Sequence, residues 1–123
     1  MATVEVTKDT FESVVNGGGT VIVDFWAPWC GPCKFFGPIY EQVSEKFPDV
    51  VFAKVNTEQE QELAGDFQIR SIPTLMVFRE NVILYSEPGA LSATHLEGLV
   101  TEVQALDMVQ VHQELAQQQG GEA

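Results

Sequence analysis

Apolar and polar positions change period several times along the chain, and each change predicts an element. Residues 3–6 alternate as a short strand. Phe11, Val14 and Val15 share one helical face that runs into Asn16 and the glycines Gly17, Gly18 and Gly19. No Lys-Ser/Thr follows these glycines, as a phosphate loop would need, so they predict a helix stop and a turn. Residues 21–26 are near-continuously apolar and β-branched, the pattern of a central strand covered on both faces. A helix is predicted over about 31–47, with Phe36, Ile39, Tyr40, Val43 and Phe47 on one side. Pro38 inside that run removes a backbone donor and predicts a kink.

A third strand follows at 50–55. Thr57 with Glu60 three residues later predicts a capping box opening a short helix, with Leu63, Ala64 and Phe67 turned inward. Residues 74–78 and 82–86 are two strands close enough for a hairpin joined near 79–81. Ser92 then opens a last helix, with Leu91 and Leu96 placed as a hydrophobic staple and Leu96, Leu99, Val100 and Val103 inward. Beyond about Leu106 the stripe loses phase: Met108, Val111 and Leu115 do not continue it, and the tail becomes Gln-rich before Gly120 and Gly121. The organisation expected is one domain over 1–106 and an extension over 107–123, either helical or disordered.

Composition narrows the class. A chain of 123 residues with 45% hydrophobic and 20% charged residues suits one soluble domain with a real core. The net charge of −12, with six scattered Lys and Arg, excludes a phosphate-binding face for nucleic acid; the acidity reads as a solvated surface. No apolar run approaches a membrane span, since even 21–29 is interrupted by Asp24. Residues 1–20 show neither a basic n-region nor an apolar h-region, so no membrane association and a cytoplasmic location are expected.

The chain has two cysteines, Cys30 and Cys33, with no second pair and no close histidines to complete a zinc site; His95 and His112 stand apart. No metal and no bound cofactor are expected. Placement matters more than spacing. Cys30 follows a buried strand and opens a helix, where unpaired N–H groups and the helix dipole favour a thiolate. Pro32 suits the first turn, and Cys33 lies one turn along, within disulfide reach but pointing deeper. As a structural staple, a four-residue ring contributes only roughly 2 kcal/mol in the chain-entropy treatment, against about 3 for a 15-residue loop. A short, exposed ring is the better exchange site.

The run Val23-Asp24-Phe25-Trp26-Ala27-Pro28-Trp29-Cys30-Gly31-Pro32-Cys33-Lys34 resembles the active-site signature of thioredoxins. The likeness covers about residues 3–106 and includes Pro38, Lys54 with Asn56, the run Ile69-Arg70-Ser71-Ile72-Pro73-Thr74, and Pro88-Gly89-Ala90. It implies an α/β thioredoxin fold, a central mixed sheet of about five strands with helices on both faces. It also implies roles. Cys30 would be the attacking thiolate and Cys33 the resolving thiol. Asp24, alone in an apolar strand, would be the buried carboxylate behind Cys33, and Lys54 would tune it. Ile72–Pro73 would be a cis peptide facing the cysteines. Trp29, Gly31, Pro32, Ile72, Pro73, Gly89 and Ala90 would bind substrate, most of them as an apolar rim. Trp26 and the phenylalanines are expected in the core.

The implied activity is general protein-disulfide reduction by a monomer, with disulfide-containing proteins as substrates. A thioredoxin reductase drawing on NADPH would restore the dithiol. Two rivals stand beside it: an oxidant or isomerase of the same fold, and a non-catalytic or chaperone-like binding module. The first usually has a His between its cysteines, where this chain has Gly31-Pro32. The second has no need of Cys30, Cys33, Asp24 and Pro73 together. Two departures from the family pattern stand out. Arg79-Glu80-Asn81-Val82 replaces a common Asn-Gly turn, predicting a looser hairpin, and Pro28 makes the rim more apolar.

Overall fold

The computed structural model describes residues 2–120, so Met1 and residues 121–123 of the expected extension lie outside it. The elements run β1 (Thr3–Glu5), α1 (Lys8–Val15), β2 (Thr20–Trp26), α2 (Gly31–Ser44), β3 (Val51–Asn56), α3 (Gln61–Asp66), β4 (Thr74–Arg79), β5 (Val82–Pro88), α4 (Ala93–Ala105) and α5 (Met108–Gly120). One five-stranded mixed sheet has the order β1-β3-β2-β4-β5. Strands β1, β3 and β2 run parallel, while β4 is antiparallel to β2 and β5 to β4.

The central position of β2 explains its composition. Val21, Val23 and Phe25 pack one way, with Phe11 and Val15 of α1, Leu63 of α3, and Met76 and Phe78 of β4. Ile22 packs the other way, with Phe36, Tyr40 and Val43 of α2 and Leu96, Val100 and Val103 of α4. Helices thus cover both faces, as the family resemblance implied, and each fully buried large side chain contributes roughly 1.5–3 kcal/mol. Tyr40 also carries a polar group into the core. Its hydroxyl lies 2.7 Å from the Ala53 carbonyl oxygen and 3.0 Å from that of Ile22, donating between β3 and β2.

Several local expectations need correction. Helix α2 closes at Ser44 rather than near Phe47. The N–H groups of Lys46 and Phe47 reach back only three residues, to Val43 and Ser44, tightening the exit. The Thr57–Glu60 pair makes no capping box: the Thr57 hydroxyl donates to the Trp26 carbonyl at 3.0 Å, and α3 begins only at Gln61. Glu60 is the N-cap, so Thr57 stands three residues before the helix and its oxygen faces none of the first-turn N–H groups. The Glu60 carboxylate instead accepts the Lys8 N–H at 2.8 Å, tying α1 to the α3 entry.

The β4–β5 hairpin is tighter than its sequence suggests. Glu80 and Asn81 both take positive φ, 53° and 64°, and Arg79 pairs directly with Val82. This is the two-residue left-handed geometry usually supplied by Asn-Gly. The turn is braced from the C-terminal end of the chain. Arg79 Nη1 donates to the carbonyls of Val103 (2.9 Å), Leu106 (3.2 Å) and Gln104 (3.4 Å), satisfying the end of α4. Glu80 Oε1 meets His112 Nε2 at 2.9 Å.

Of the two expectations for the extension, the described part is helical. Asp107 Oδ1 accepts the N–H groups of Val109 (3.0 Å) and Gln110 (3.3 Å), capping α5. Met108 is buried, 6% exposed, at the start of that helix. No helix among the described residues is long and apolar enough to cross a membrane.

Candidate active site

Strand β2 ends at Trp26, buried Ala27 and exposed Pro28 and Trp29 follow, and Cys30 occupies the N-cap of α2. Its backbone is extended (φ −86°, ψ 116°), and its Sγ accepts the Cys33 N–H at 3.2 Å. Gly31 and Pro32 fill the first helical positions, where a missing N–H costs nothing. Cys30 and Cys33 form a disulfide with Cα atoms 5.2 Å apart. The ring is less open than expected: Cys30 is 5% and Cys33 4% exposed, so burial does not distinguish them in the oxidised state. The asymmetry lies in position. Only Cys30 Sγ sits at the cap and receives a backbone N–H there.

The loop before β4 closes over this ring. Ile72–Pro73 is cis, and the Ile72 carbonyl oxygen stands 3.7 Å from Cys30 Sγ. Pro73 O in turn accepts the Gly89 N–H at 2.8 Å, and Gly89 has φ +108°, a left-handed conformation that suits glycine. Ala27, Cys30 and Cys33 form a small cluster against which Ile72 and Trp26 pack.

Asp24 lies on the same β2 face as Ile22, the face covered by α2, whose first turn carries Cys33. It is 1% exposed, and neither carboxylate oxygen has a hydrogen-bond partner. Burial raises its pKa from 3.8 to about 7; Lys54 pulls it down and Glu5 pushes it up. Lys54 is the direct register partner of Asp24 across β2–β3, and its ammonium lies 4.6 Å from the centroid of the Trp26 ring. Tyr40, on the buried face of α2, is held well above the usual phenol range by burial, then by Asp24 and Glu41. A carboxyl poised near neutrality can take or give a proton at physiological pH.

Residues 2–102 match the thioredoxin family model. The chain belongs to the thioredoxin family. It is 49% identical over 118 residues to a putative thioredoxin 2 of Streptomyces coelicolor, covering 96% of this chain and 88% of that one. Thioredoxin of Buchnera aphidicola is 39% identical over 101 residues, 80% of this chain and 94% of the relative. A crystal structure of Malassezia sympodialis thioredoxin superposes with a TM-score of 0.74 at 32% identity, covering 81% of this chain and 89% of that one. This thioredoxin-family chain is accordingly a protein-disulfide oxidoreductase, with dithiol–disulfide chemistry at its C-x-x-C pair.

Most of the residues singled out by the thioredoxin resemblance come together. Lys54 lies beside Asp24, Ile72 beside Cys30, and Trp29, Gly31, Pro32, Gly89 and Ala90 are exposed. Pro73 corrects the picture of the rim: it is buried, and half-buried Ile72 presents the adjoining surface. Trp26 is half-buried rather than core, its indole N–H sealed without a partner and its ring beneath Lys54. Phe35 likewise departs from the expectation that the phenylalanines lie in the core. It is 70% exposed and, three residues after Pro32 and four after Gly31, shares their side of the helix; Trp29, just before the helix, is 67% exposed. The available signal was that Phe35 falls off the Phe36–Tyr40–Val43 stripe. Among the described residues no cluster of His, Cys, Asp and Glu is arranged to hold a metal ion. A cleft of 390 Å³ on the α1/α3 side, lined by Phe11, Leu63 and Phe78, contains none of the candidate residues.

Proposed function

We propose that this chain is a general protein-disulfide reductase, with Cys30 as nucleophile, Cys33 as resolving thiol and Asp24 as the proton acceptor for Cys33. In the dithiol form the Cys30 thiolate attacks one sulfur of a substrate disulfide, forming a mixed disulfide and releasing one substrate thiolate. The Cys33 thiol gives its proton to the Asp24 carboxylate and attacks Cys30 Sγ. The second substrate thiolate leaves, and the Cys30–Cys33 disulfide remains. Two electrons pass from the dithiol to the substrate.

The observation that carries the reading is the position of Cys30 at the α2 N-cap, its sulfur receiving the Cys33 N–H. Exposed Trp29, Pro32 and Phe35 offer apolar side chains for docking, and the Ile72 carbonyl offers a backbone acceptor to an extended substrate segment. Lys54 moderates Asp24. The disulfide is returned to the dithiol by a thioredoxin reductase using NADPH, and the protein works as a monomer in the cytoplasm. The Gly31-Pro32 spacer and the family membership support reduction over oxidation.

Alkylation rates of Cys30→Ser and Cys33→Ser, followed against pH with adducts weighed by mass spectrometry, test these assignments. Cys33→Ser is expected to keep the fast thiol and accumulate a covalent substrate adduct, while Cys30→Ser loses reduction and alkylates slowly. Equal rates, or a faster Cys33, overturn the mechanism.

A further inference from the structure

We propose that Glu5, on the edge strand β1, is a positioning residue for the resolving step: it competes with Asp24 for Lys54 and so sets the charge state in which Asp24 meets Cys33. The inference rests on the proposed role of Asp24 as proton acceptor. Its geometric basis is the sheet register. Glu5 pairs with Lys54 across β1–β3, and Lys54 pairs with Asp24 across β3–β2, so the three stand in one row on adjacent strands. All three side chains belong to one face. Val6, the neighbour of Glu5, packs into the opposite layer, whereas Thr3, two residues before Glu5, bonds to Glu41 of α2. Asp24 and Ile22 share that α2-covered face.

The row is asymmetric. Asp24 is sealed, and Glu5 sits at the open end, where it lines a cleft of 280 Å³ with Trp26, Asn56 and Glu60. In the register Lys54 stands between two acidic residues, one on each neighbouring strand. Whatever attraction it gives to Glu5 is opposed by a second negative charge felt at Asp24. Strand β4 presents Leu75, α4 presents Leu96, and α2 presents Tyr40, with Glu41 further along, while both cysteines are joined in the oxidised state. The electrostatics agree in sign: at Asp24 burial dominates, Lys54 lowers the proton affinity and Glu5 raises it, while at Glu5 burial raises the proton affinity and Lys54 opposes it.

Strands spaced about 4.8 Å apart put Glu5 roughly 10 Å from Asp24. At that range a charge in a partly solvated setting shifts a titration by about 0.3–1 pH unit. The test is the titration of the Asp24 carboxyl by carbon-13 NMR, with the pH profile of mixed-disulfide resolution, in wild type, Glu5→Gln, Glu5→Thr and Glu5→Asp. Glu5→Thr keeps a strand-forming residue should the amide perturb folding. Removing the charge is expected to lower both midpoints by about 0.3–1 unit, with Glu5→Asp close to wild type. Glu114→Gln, which removes the same charge on α5, the helix that meets the β4–β5 turn at the sheet edge opposite β1, is expected to move neither. An unchanged or raised midpoint in the charge-free variants, or an equal shift in Glu114→Gln, overturns the role of Glu5 while leaving Asp24 in place. Wild-type Asp24 titrating near 4, or resolution unaffected by Asp24→Asn, overturns the underlying reading instead.

Discussion

Replacing Asp24 by Asn removes a charge that the fold disfavours, and the size of the effect follows from the site. Asp24 titrates near 7 in the folded chain against an ordinary value of 3.8, a displacement of roughly 3 pH units or about 4 kcal/mol. The direction is fixed by proton counting. As pH rises through the ordinary Asp range, the unfolded chain releases this proton while the folded chain retains it until about pH 7. Between those limits the folded state binds more protons, so stability falls with rising pH and then levels off above about 7. Asn cannot ionise. It also forfeits no hydrogen bond, because neither Asp24 oxygen has a partner. Asp24→Asn is therefore expected to match wild type near pH 3.5 and to exceed it by about 2–4 kcal/mol at pH 8, the lower figure allowing for relaxation around the charge. Urea unfolding of both proteins at fixed pH between 3.5 and 9 measures this, and the difference curve cancels the other carboxylates. A difference that does not vary with pH, or a wild type that is the more stable at pH 8, refutes the reasoning. Resolution of the mixed disulfide should slow in the same variant, separating stability from activity.

Truncation after Leu106 is expected to leave disulfide reduction intact, since α5 touches the hairpin and not the cysteines, but to cost about 1–3 kcal/mol by removing buried Met108. The half-exposed His112–Glu80 pair supplies little of that, so His112→Ala alone should change the unfolding midpoint by less than about 1 kcal/mol equivalent. Tyr40→Phe leaves the Ile22 and Ala53 carbonyls without their shared donor and is expected to cost about 1–2 kcal/mol by denaturant titration, with kcat unchanged. Phe35→Ser should lower kcat/KM for a protein disulfide by roughly five- to tenfold and leave reduction of a small soluble disulfide alone. Equal losses on both substrates would mean that Phe35 supports the fold rather than docking.

The core strands and helices were legible because burial on two faces leaves a mark on composition. Residues 21–26 could be placed at the sheet centre from their apolar run alone, and the single polar residue in that run, Asp24, already stood out as buried. The Ser92 cap was equally local: its hydroxyl accepts the His95 N–H at 3.2 Å, three residues away. Thr57 shows where such local reading fails. Its capping pattern is intact, but its N–H and hydroxyl both donate to the Trp26 carbonyl, 31 residues distant in sequence, and that tie holds Thr57 at the end of the strand while the helix starts three residues later than the pattern predicts. The Glu80–Asn81 turn and the docking of α5 were hidden for a related reason. A left-handed Glu is held there by contacts from Arg79 and Glu80 to the far end of the chain, and no local signal announces them.

By itself the sequence determined the alternation of strands and helices, the buried faces, and a cysteine pair at the entry of a helix. These depend on periods of two and 3.6 and on backbone donors within one turn. Only the tertiary structure decided which charges stand side by side. The row Glu5–Lys54–Asp24 depends on two strand registers, joining residues that are 49 and 30 positions apart. Pairing register is set by packing of the whole sheet against α2 and α4, and proton affinity follows from burial and neighbours together, so neither can be read from a strand taken alone.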